Sequence, residues 1–247
     1  MKTTTSSLKF LILKRINQAV FVSLIMLSVQ ACQFHTTHMD ELSSHDIRNH
    51  HAEELLPSFL SNNEVRAFDG DSQFNDYIST YLQKNAASLD SEKLTHSLIQ
   101  VSRENSYDPI FLLAIIKTES KFNTFAIGTH GEIGLMQIKP ETAKWICNKV
   151  GLHWRGAEAL KDPAYNVKVG SYYFKYLKRV LNSKSMKYIS AYNLGLGGLK
   201  RKTSSEHPYF DRVIENYLSI YAELKLIKQN TSRIAALNGA GAEAFFL

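Results

Sequence analysis

The feature that most constrains this chain is a run of apolar residues that ends beside an ionisable one. Residues 110–116 read IFLLAII, and Glu119 follows three residues after the run. A segment that is apolar on every face cannot lie on a protein surface, so this run predicts a helix buried on most of its sides. Asp108 followed by Pro109 is a favourable start for a helix, because aspartate caps the first turn and proline needs no hydrogen-bond partner there.

Glu119 is predicted to lie in the last turn of this helix, at the edge of the core. Burial disfavours an ionised carboxylate, and the negative end of the helix dipole opposes one as well. Both effects raise the pKa of a glutamic acid, as a general acid that works near neutral pH requires. The alternative is a glutamate that pairs with Lys117 or Lys121 on a solvated helix end.

Further segments carry apolar residues at helical spacing and predict core-facing helices, while no run of alternating strands is present. Cys147 falls within one of these stripes, and a buried position is predicted for it because free cysteines usually pack as small apolar residues. The sequence therefore predicts a mainly α fold class. The stripes are Leu94, Leu98 and Val101; Ala143, Ile146, Cys147 and Val150; Gly170, Tyr173, Phe174, Leu177 and Leu181; and Phe210, Val213, Ile214, Tyr217, Ile220, Tyr221 and Leu224.

The N-terminus has the pattern of a bacterial export signal. Basic residues lead into AVFVSLIMLSVQA, which is too short to favour a spanning helix and ends before Cys32. The residues VSLIMLSVQAC resemble the lipobox of bacterial lipoproteins, with Val29 in place of the commoner leucine. The resemblance implies cleavage before Cys32 and its acylation, which would hold the protein on a membrane. Gln33 is not the aspartate associated with inner-membrane retention in enteric-type bacteria, so the periplasmic face of the outer membrane is predicted.

The net charge does not indicate a nucleic-acid partner. The formal charge of the chain is +6, but four basic residues and no acidic ones lie before Cys32, so removal of that segment leaves +2. So small a charge provides little electrostatic attraction for a polyanion. No nucleic-acid partner is predicted.

Composition divides the chain into four parts. Residues 1–31 are the predicted lipoprotein signal peptide, and the polar residues 32–71 are predicted to be a flexible tether. Residues 72–226 are predicted to form the folded domain and residues 227–247 a poorly ordered tail. Histidines in the tether lack the spacing of a familiar metal site, so no metal is predicted there. They are His35, His38, His45, His50 and His51.

Three motifs follow in order, and each has groups suited to a sugar cleft. They are TESKFNTFAIGTHGEIGLMQIKPETA (118–143), SAYNLGLGGL (190–199) and PYFDRVIENY (208–217). In the first motif, Met136 offers an adaptable apolar surface and Gln137 an amide. In the second, Tyr192 supplies a ring with a hydroxyl, and the amide of Asn193 suits an N-acetyl group.

Together these motifs resemble those of the soluble lytic transglycosylase (SLT) family, over roughly residues 90–222. The resemblance implies a mainly α, lysozyme-like (α+β) fold, in which a single helical domain carries a substrate cleft and at most a short β-hairpin. It implies Glu119 as the catalytic residue. The side chains that it implies for substrate binding are Ser120, Met136, Gln137, Tyr192, Asn193 and Tyr209.

The reaction implied by the resemblance is cleavage of the β-1,4 bond between N-acetylmuramic acid and N-acetylglucosamine in peptidoglycan glycan strands. Glu119 would protonate the glycosidic oxygen and then, as a carboxylate, accept the proton of the muramyl 6-hydroxyl, which closes a 1,6-anhydro ring. The acetamido group of the substrate would shield the cationic centre. Neither a second carboxylate nor a metal or cofactor is therefore implied.

Two other functions stay open. One is a hydrolytic lysozyme of similar fold, in which water takes the place of the 6-hydroxyl. The other is a murein-binding lipoprotein without activity that serves an envelope assembly, although the sequence does not indicate which assembly. The partners common to all three are peptidoglycan and, through an acylated Cys32, a membrane.

Two positions depart from the family pattern. The family often has a serine where Gly128 stands and an alanine where Glu132 stands. A second acid near Glu119 would permit hydrolysis, because most glycosidases use two carboxyls. The prediction for Glu132 is nevertheless a solvent-facing loop position, which is the usual place for a glutamate.

Overall fold

The apolar run at residues 110–116 forms the middle of a buried helix around which the other elements pack. The computed structural model describes residues 43–182 and 184–243, and the predictions for the signal peptide and for Cys32 lie outside these ranges. Within these ranges the regular elements are helices. The predicted mainly α fold class is confirmed.

The longer helices, in chain order, are α1 (Ser44–Leu55), α2 (Phe74–Asn85), α3 (Ser91–Asn105), α4 (Pro109–Ser120), α5 (Pro140–Val150), α6 (Pro163–Val180), α7 (Ser185–Arg201) and α8 (Pro208–Glu243). Short helical turns at Ser58–Leu60, Ser61–Val65 and Arg66–Phe68 connect α1 to α2, and another at Ala157–Lys161 precedes α6. No helix in the described part of the chain combines the length and the apolar character needed to cross a membrane.

Helix α4 is the predicted apolar helix, and it begins at the predicted residue. The side chain of Asp108 accepts a hydrogen bond of 2.8 Å from the backbone N–H of Ile110, and Pro109 lies in the first turn. Every residue from Pro109 to Ile116 is buried. Lys121, at a left-handed φ of 51°, ends the helix. Helix α8 packs along α4, while α3 packs against α6 and α2.

A buried polar cluster fixes the start of α4. The carboxylate of Asp108 accepts hydrogen bonds from the hydroxyls of Tyr217 at 2.5 Å and Tyr221 at 2.7 Å, both on α8. The backbone N–H of Asp108 donates to Nδ1 of His51 at 3.2 Å, and Nε2 of the same ring lies 3.0 Å from the hydroxyl of Tyr188. His51 therefore links α1 to both α4 and α7.

The prediction of a flexible tether is wrong for residues 43–71, which are folded. Helix α1 begins with a capping box at Ser43, and apolar side chains such as Ala52 and Phe68 are buried in the common core. Helix α1 contacts α7, and the turn at Ser61–Val65 contacts α8. The overall composition is polar, but the few apolar side chains lie where they pack against these helices.

The prediction of a poorly ordered tail is also corrected, because α8 continues through it to Glu243. Residues 229–237 are exposed, so this part of the helix extends past the core. Good helix formers in the stretch RIAAL favour a helix there even without buried partners.

The loop between α4 and α5 contains the β structure found in the described residues. It consists of two isolated antiparallel bridges, one between Ile127 and Ile133 and one between Ile133 and Ile138. This minimal pairing agrees with the predicted short hairpin. Cys147, on α5, is fully buried as predicted.

Candidate functional site

A cavity of about 500 Å³ brings parts of the first two motifs together next to the end of α4. Its lining includes Glu119 from α4, Gln137 from the loop that follows, and Tyr192 and Asn193 from α7. The third motif reaches the same place through Tyr209 on α8, which contacts Glu119. Residues separated by up to ninety positions in the chain thus converge on one carboxyl group.

The environment of Glu119 favours its protonated form. Burial raises the pKa of Glu119 to about 7, and the negative charge of Glu132 adds to the rise. A hydrogen bond from the hydroxyl of Tyr209 to Oε1, at 2.5 Å, and the charge of Arg212 act in the opposite direction. With a pKa near 7, protonated and ionised Glu119 coexist at neutral pH.

Two tyrosines of the site have fixed positions. The ring of Tyr192 stacks on Phe174 with centroids 4.0 Å apart, and its hydroxyl donates to the backbone carbonyl of Met136 at 2.7 Å. Burial raises the pKa of both Tyr192 and Tyr209 well above the usual value, and the charge of Glu119 adds to this. Both hydroxyls therefore keep their protons and serve as hydrogen-bond donors.

Gln137 fixes the shape of the loop with its own side chain. Its backbone has a left-handed φ of 46°, and its Nε2 donates to the carbonyls of Ala126 at 3.0 Å and Gly134 at 2.9 Å. The amide nitrogen is thus engaged within the loop. The side-chain oxygen is the group that is left to accept a hydrogen bond from a ligand.

A bend in α7 shapes the wall beside Asn193. Gly195 has φ 69° and ψ 162° inside the helix, a conformation that residues with a side chain rarely adopt. Both Asn193 and Gly195 line the cavity. The glycine in the second motif therefore has a definite backbone role, in addition to leaving room beside a ligand.

Asn166 is a supporting residue that the sequence analysis missed. It is fully buried on α6, where its Oδ1 accepts from the N–H of Met136 at 2.8 Å. Its Nδ2 donates to the carbonyls of Ile133 at 2.9 Å and Leu160 at 2.8 Å. These bonds hold the loop that carries Gln137. The sequence signal for this role is an asparagine within an otherwise apolar buried stripe, because a buried amide needs hydrogen-bond partners.

The structure separates two predicted substrate-binding side chains from the others. Ser120 is buried, and its hydroxyl donates to the carbonyl of Ile116 in the preceding turn at 3.1 Å. Met136 is fully buried, and its side chain packs against Gly170 of α6. Neither lines the cavity. Both belong to the first motif, but their side chains lie on the core side of the backbone.

Glu132 was predicted to face solvent, but it lines the cavity with Glu119. Its side chain is only 21% exposed, and Oε1 lies 3.6 Å from Nζ of Lys139. Its Oε2 accepts a hydrogen bond of 3.0 Å from the backbone N–H of His130. Burial tends to raise the pKa of Glu132, but hydrogen bonds from backbone N–H groups and the charge of Lys139 outweigh it, so the pKa lies below its usual value. Glu132 is therefore ionised at neutral pH.

A second cavity of about 350 Å³ adjoins the first. The two share Asn193 and Leu194, and the lining of the second includes the cationic or titratable side chains of Arg201, Lys202 and His207. The groove available to a long ligand therefore extends beyond the surroundings of Glu119.

A family model described as Transglycosylase SLT domain matches residues 97–212, a range that contains every residue of the first cavity. These residues of the chain form a transglycosylase SLT domain by this match. The resemblance of the three motifs is thereby confirmed. Helix α1 and the turns that follow it lie outside the matched range of this SLT chain, although they pack on the same core.

Curated relatives of the SLT chain match it over part of their length. Membrane-bound lytic murein transglycosylase C of Mannheimia succiniciproducens is 30% identical over 183 residues, which cover 70% of this chain and 50% of the relative. The protein of the same name from Actinobacillus succinogenes is 34% identical over 139 residues, which cover 53% and 39%. The chain thus spans half or less of the length of these relatives.

Similar solved structures include two lytic transglycosylases. The 70 kDa enzyme of Escherichia coli is 20% identical with a TM-score of 0.47, over 60% of this chain and 28% of its own. The Slt protein of Pseudomonas aeruginosa is 22% identical with a TM-score of 0.43, over 75% of this chain and 32% of its own.

Proposed function

We propose that this SLT chain is a lytic transglycosylase that cleaves the β-1,4 bond between N-acetylmuramic acid and N-acetylglucosamine in peptidoglycan and leaves 1,6-anhydro-muramyl ends. The observation that carries the proposal is a protonatable Glu119 in a cavity shared with Gln137, Tyr192 and Asn193. The names of the relatives, lytic murein transglycosylases, support the same reaction class and substrate.

In the first step Glu119 acts as general acid. Its proton passes to the glycosidic oxygen as the bond between C1 and that oxygen breaks, and the N-acetylglucosamine end leaves as an alcohol. A pKa of about 7 suits this step, because Glu119 holds a transferable proton close to neutral pH. The acetamido group of the substrate shields the positive charge that develops at C1.

In the second step the carboxylate of Glu119 acts as general base. It takes the proton of the muramyl 6-hydroxyl while that oxygen bonds to C1, so the proton lost in the first step is regained and the anhydro ring closes. Between the steps the hydroxyl of Tyr209 stabilises the ionised carboxylate through the bond to Oε1. The reaction as proposed uses no metal or cofactor.

The remaining side chains are proposed to orient the sugar. Asn193 is exposed at the cavity, where its amide can both donate to and accept from an N-acetyl group. The oxygen of Gln137 is available to accept from a sugar hydroxyl or amide. Tyr192 keeps the loop and α7 together, since its hydroxyl is bonded to the carbonyl of Met136.

The role of Glu119 is tested by Glu119→Gln, which keeps the shape of the side chain but removes both functions. Turnover of peptidoglycan is expected to fall by at least about a hundredfold, the usual effect of losing general acid–base catalysis. Glycan binding should persist. Glu158→Gln is the matched control, because Glu158 is 84% exposed and pairs with Lys161 away from the cavity. Unchanged turnover in the folded Glu119 variant would overturn the assignment.

A hydrolytic lysozyme is the second candidate, and Glu132 is the observation that favours it. Two carboxyls in one cavity, with one pKa raised and the other lowered, are typical of an acid and base pair in glycosidases. Glu132 would then activate water, the products would carry reducing ends, and Glu132→Gln would abolish activity. A transglycosylase is expected to form anhydro products with or without Glu132.

We further propose that acyl chains on Cys32 attach the mature chain to a membrane, with the outer membrane as the expected site. The sequence VSLIMLSVQAC and the words "membrane-bound" in the names of the relatives support this. Cys32→Ala is expected to move the protein from the membrane fraction to the soluble fraction after cell lysis. Recovery of a soluble wild-type protein that begins at an unmodified Cys32 would contradict the proposal.

A further inference from the structure

We propose that Glu132 is a positioning residue of the active site, whose fixed negative charge favours the protonated form of Glu119. The inference rests on the proposed role of Glu119 as general acid. Glu132 and Gly128 lie in the loop between α4 and α5, where they adjoin each other and both line the cavity.

Because Gly128 has no side chain, the carboxylate of Glu132 can occupy the space beside it. The backbone N–H of Gly128 donates to the carbonyl of Glu132 at 2.8 Å, which brings the two residues face to face. A β-carbon at Gly128 would overlap Oε2 of Glu132 and would lie 2.8 Å from Oε1 of Gln137. Any side chain at position 128 would therefore displace the carboxylate, so the glycine and the glutamate act as a matched pair.

The carboxylate of Glu132 is also held by other contacts of the loop. Oε2 accepts from the N–H of His130 at 3.0 Å, and Oε1 lies 3.6 Å from the ammonium group of Lys139. The side chain is 21% exposed. These partners fix the position of the carboxylate within the cavity. Because the side chain is mostly buried, solvent ions screen its charge less than they would screen that of a fully solvated glutamate.

The effect of Glu132 on Glu119 is opposite to that of a nearby cation. The charge of Arg212 on α8 favours the ionised form of Glu119, while the charge of Glu132 favours the protonated form and thereby adds to the effect of burial on the pKa. The charged and titratable groups around the cavity and Glu119 are Tyr209 and Arg212 of α8, Tyr192 of α7, Tyr173 of α6, His130, Glu132 and Lys139 of the loop, and Lys117 and Lys121 beside Glu119 in the chain.

The charge of Glu132 is expected to affect the alkaline limb of the pH profile, which is the pH range over which activity falls as the pH rises. Glu119 donates a proton only while protonated, so activity is lost as the pH rises through its pKa. A nearby negative charge moves that limb to higher pH. Glu132 thus extends the activity of the enzyme toward neutral and mildly alkaline pH.

The test compares kcat/KM on peptidoglycan as a function of pH for the full-length wild type and for Glu132→Gln. We expect the alkaline limb of the variant to move to lower pH by on the order of half a unit, the size reasonable for one partly screened charge across a cavity. Glu132→Asp, which keeps the charge, should retain a limb close to that of the wild type. Glu158→Gln is the control for removing a carboxylate elsewhere, and its limb should not move.

Gly128→Ala tests the same idea without removing the carboxylate. Because the added carbon displaces Glu132, the limb should move in the same direction, and the substitution should add little further shift in a Glu132→Gln background. If Glu132→Gln fails to fold, the comparison of Gly128→Ala with the wild type still decides the matter. An unchanged limb in folded Glu132→Gln or Gly128→Ala would overturn the inference.

A second readout separates this inference from the proposed function. Carbon-13 NMR of the side-chain carboxyl groups reports the titration of Glu119 directly, with the signal assigned by its absence in Glu119→Gln. The midpoint should move down in Glu132→Gln even if Glu119 proves not to be the general acid. Loss of activity at every pH in Glu132→Gln, with the midpoint of Glu119 unmoved, would instead indicate that Glu132 is the base of a hydrolase.

Discussion

At the scale of single residues, the hydroxyl of Tyr209 stabilises the ionised form of Glu119. The hydrogen bond from Tyr209 to Oε1 favours the carboxylate and so lowers the pKa of Glu119 against the larger effect of burial. Tyr209 is itself only 5% exposed, so water does not easily replace this donor.

Tyr209→Phe is therefore expected to raise the pKa of Glu119 and to move the alkaline limb of the activity profile to higher pH. Turnover should fall by roughly tenfold or more, since a hydrogen bond to a charged group contributes about 1.5–3 kcal/mol. Tyr192→Phe provides the contrast, because its hydroxyl bonds to the carbonyl of Met136 and its loss should leave the limb in place. A limb that moves to lower pH in Tyr209→Phe would contradict this account.

Single residues were predictable from sequence where local structure decides their position. Asp108 and Glu119 follow from a helix start and a helix end, and both lie where predicted. Met136 and Glu132 could not be placed in the same way, because the side of the loop that meets α6 is a tertiary property. Asn166 was missed for the same reason, since its three bonds are to distant parts of the chain.

At the scale of elements, α1 supports the start of α4, the helix that carries Glu119. The ring of His51 is fully buried, lies edge-on to Tyr107 and Phe111 with centroids 4.9 and 4.8 Å away, and bonds to Asp108 and Tyr188. Periodicity did not reveal this helix, because α1 has few apolar residues and its buried face includes a histidine, an arginine and an asparagine.

His51→Ala is expected to lower the free energy of unfolding by about 2–4 kcal/mol, since it leaves a cavity and unpaired buried groups. The neighbouring His50→Ala is the control, because the side chain of His50 is 74% exposed. Denaturant unfolding of both variants measures the difference. Equal stability of the two variants would show that α1 does not support the core in this way.

The same histidine predicts an acid dependence of stability. Burial, with the charge of Lys178, lowers the pKa of His51 well below its usual value. The unfolded chain therefore takes up a proton near pH 6.5 while the folded chain does not, so this contribution is full above that pH and is lost as the pH falls further. The thermal midpoint of the wild type should drop below about pH 6.5 more steeply than that of His51→Gln. Parallel pH profiles for the two proteins would contradict the prediction.

At the scale of the whole molecule, the folded unit begins earlier than composition indicates. Residues 43–71 contribute Leu55, Leu56, Val65 and Phe68 to the core. Burial of each such side chain contributes about 1.5–3 kcal/mol, so their sum is comparable to the whole stability of a domain. The mainly helical class was predictable from periodicity, but this boundary depends on packing between segments that are distant in sequence.

A chain that begins at Ser43 is therefore expected to fold cooperatively, and one that begins at residue 72 should be strongly destabilised. Circular dichroism during thermal unfolding compares the two directly. A chain from residue 72 that unfolds at the same temperature as the chain from Ser43 would restore the tether interpretation for residues 43–71.

The mass of the muropeptides released by the wild-type protein from purified peptidoglycan tests the central claim most directly. If Glu119 alone first donates a proton and then accepts one, the products carry 1,6-anhydro-muramyl ends. These products are lighter than hydrolytic products by one water molecule. Reducing ends as the main product, or the absence of any product from a protein that still binds peptidoglycan, would contradict the account.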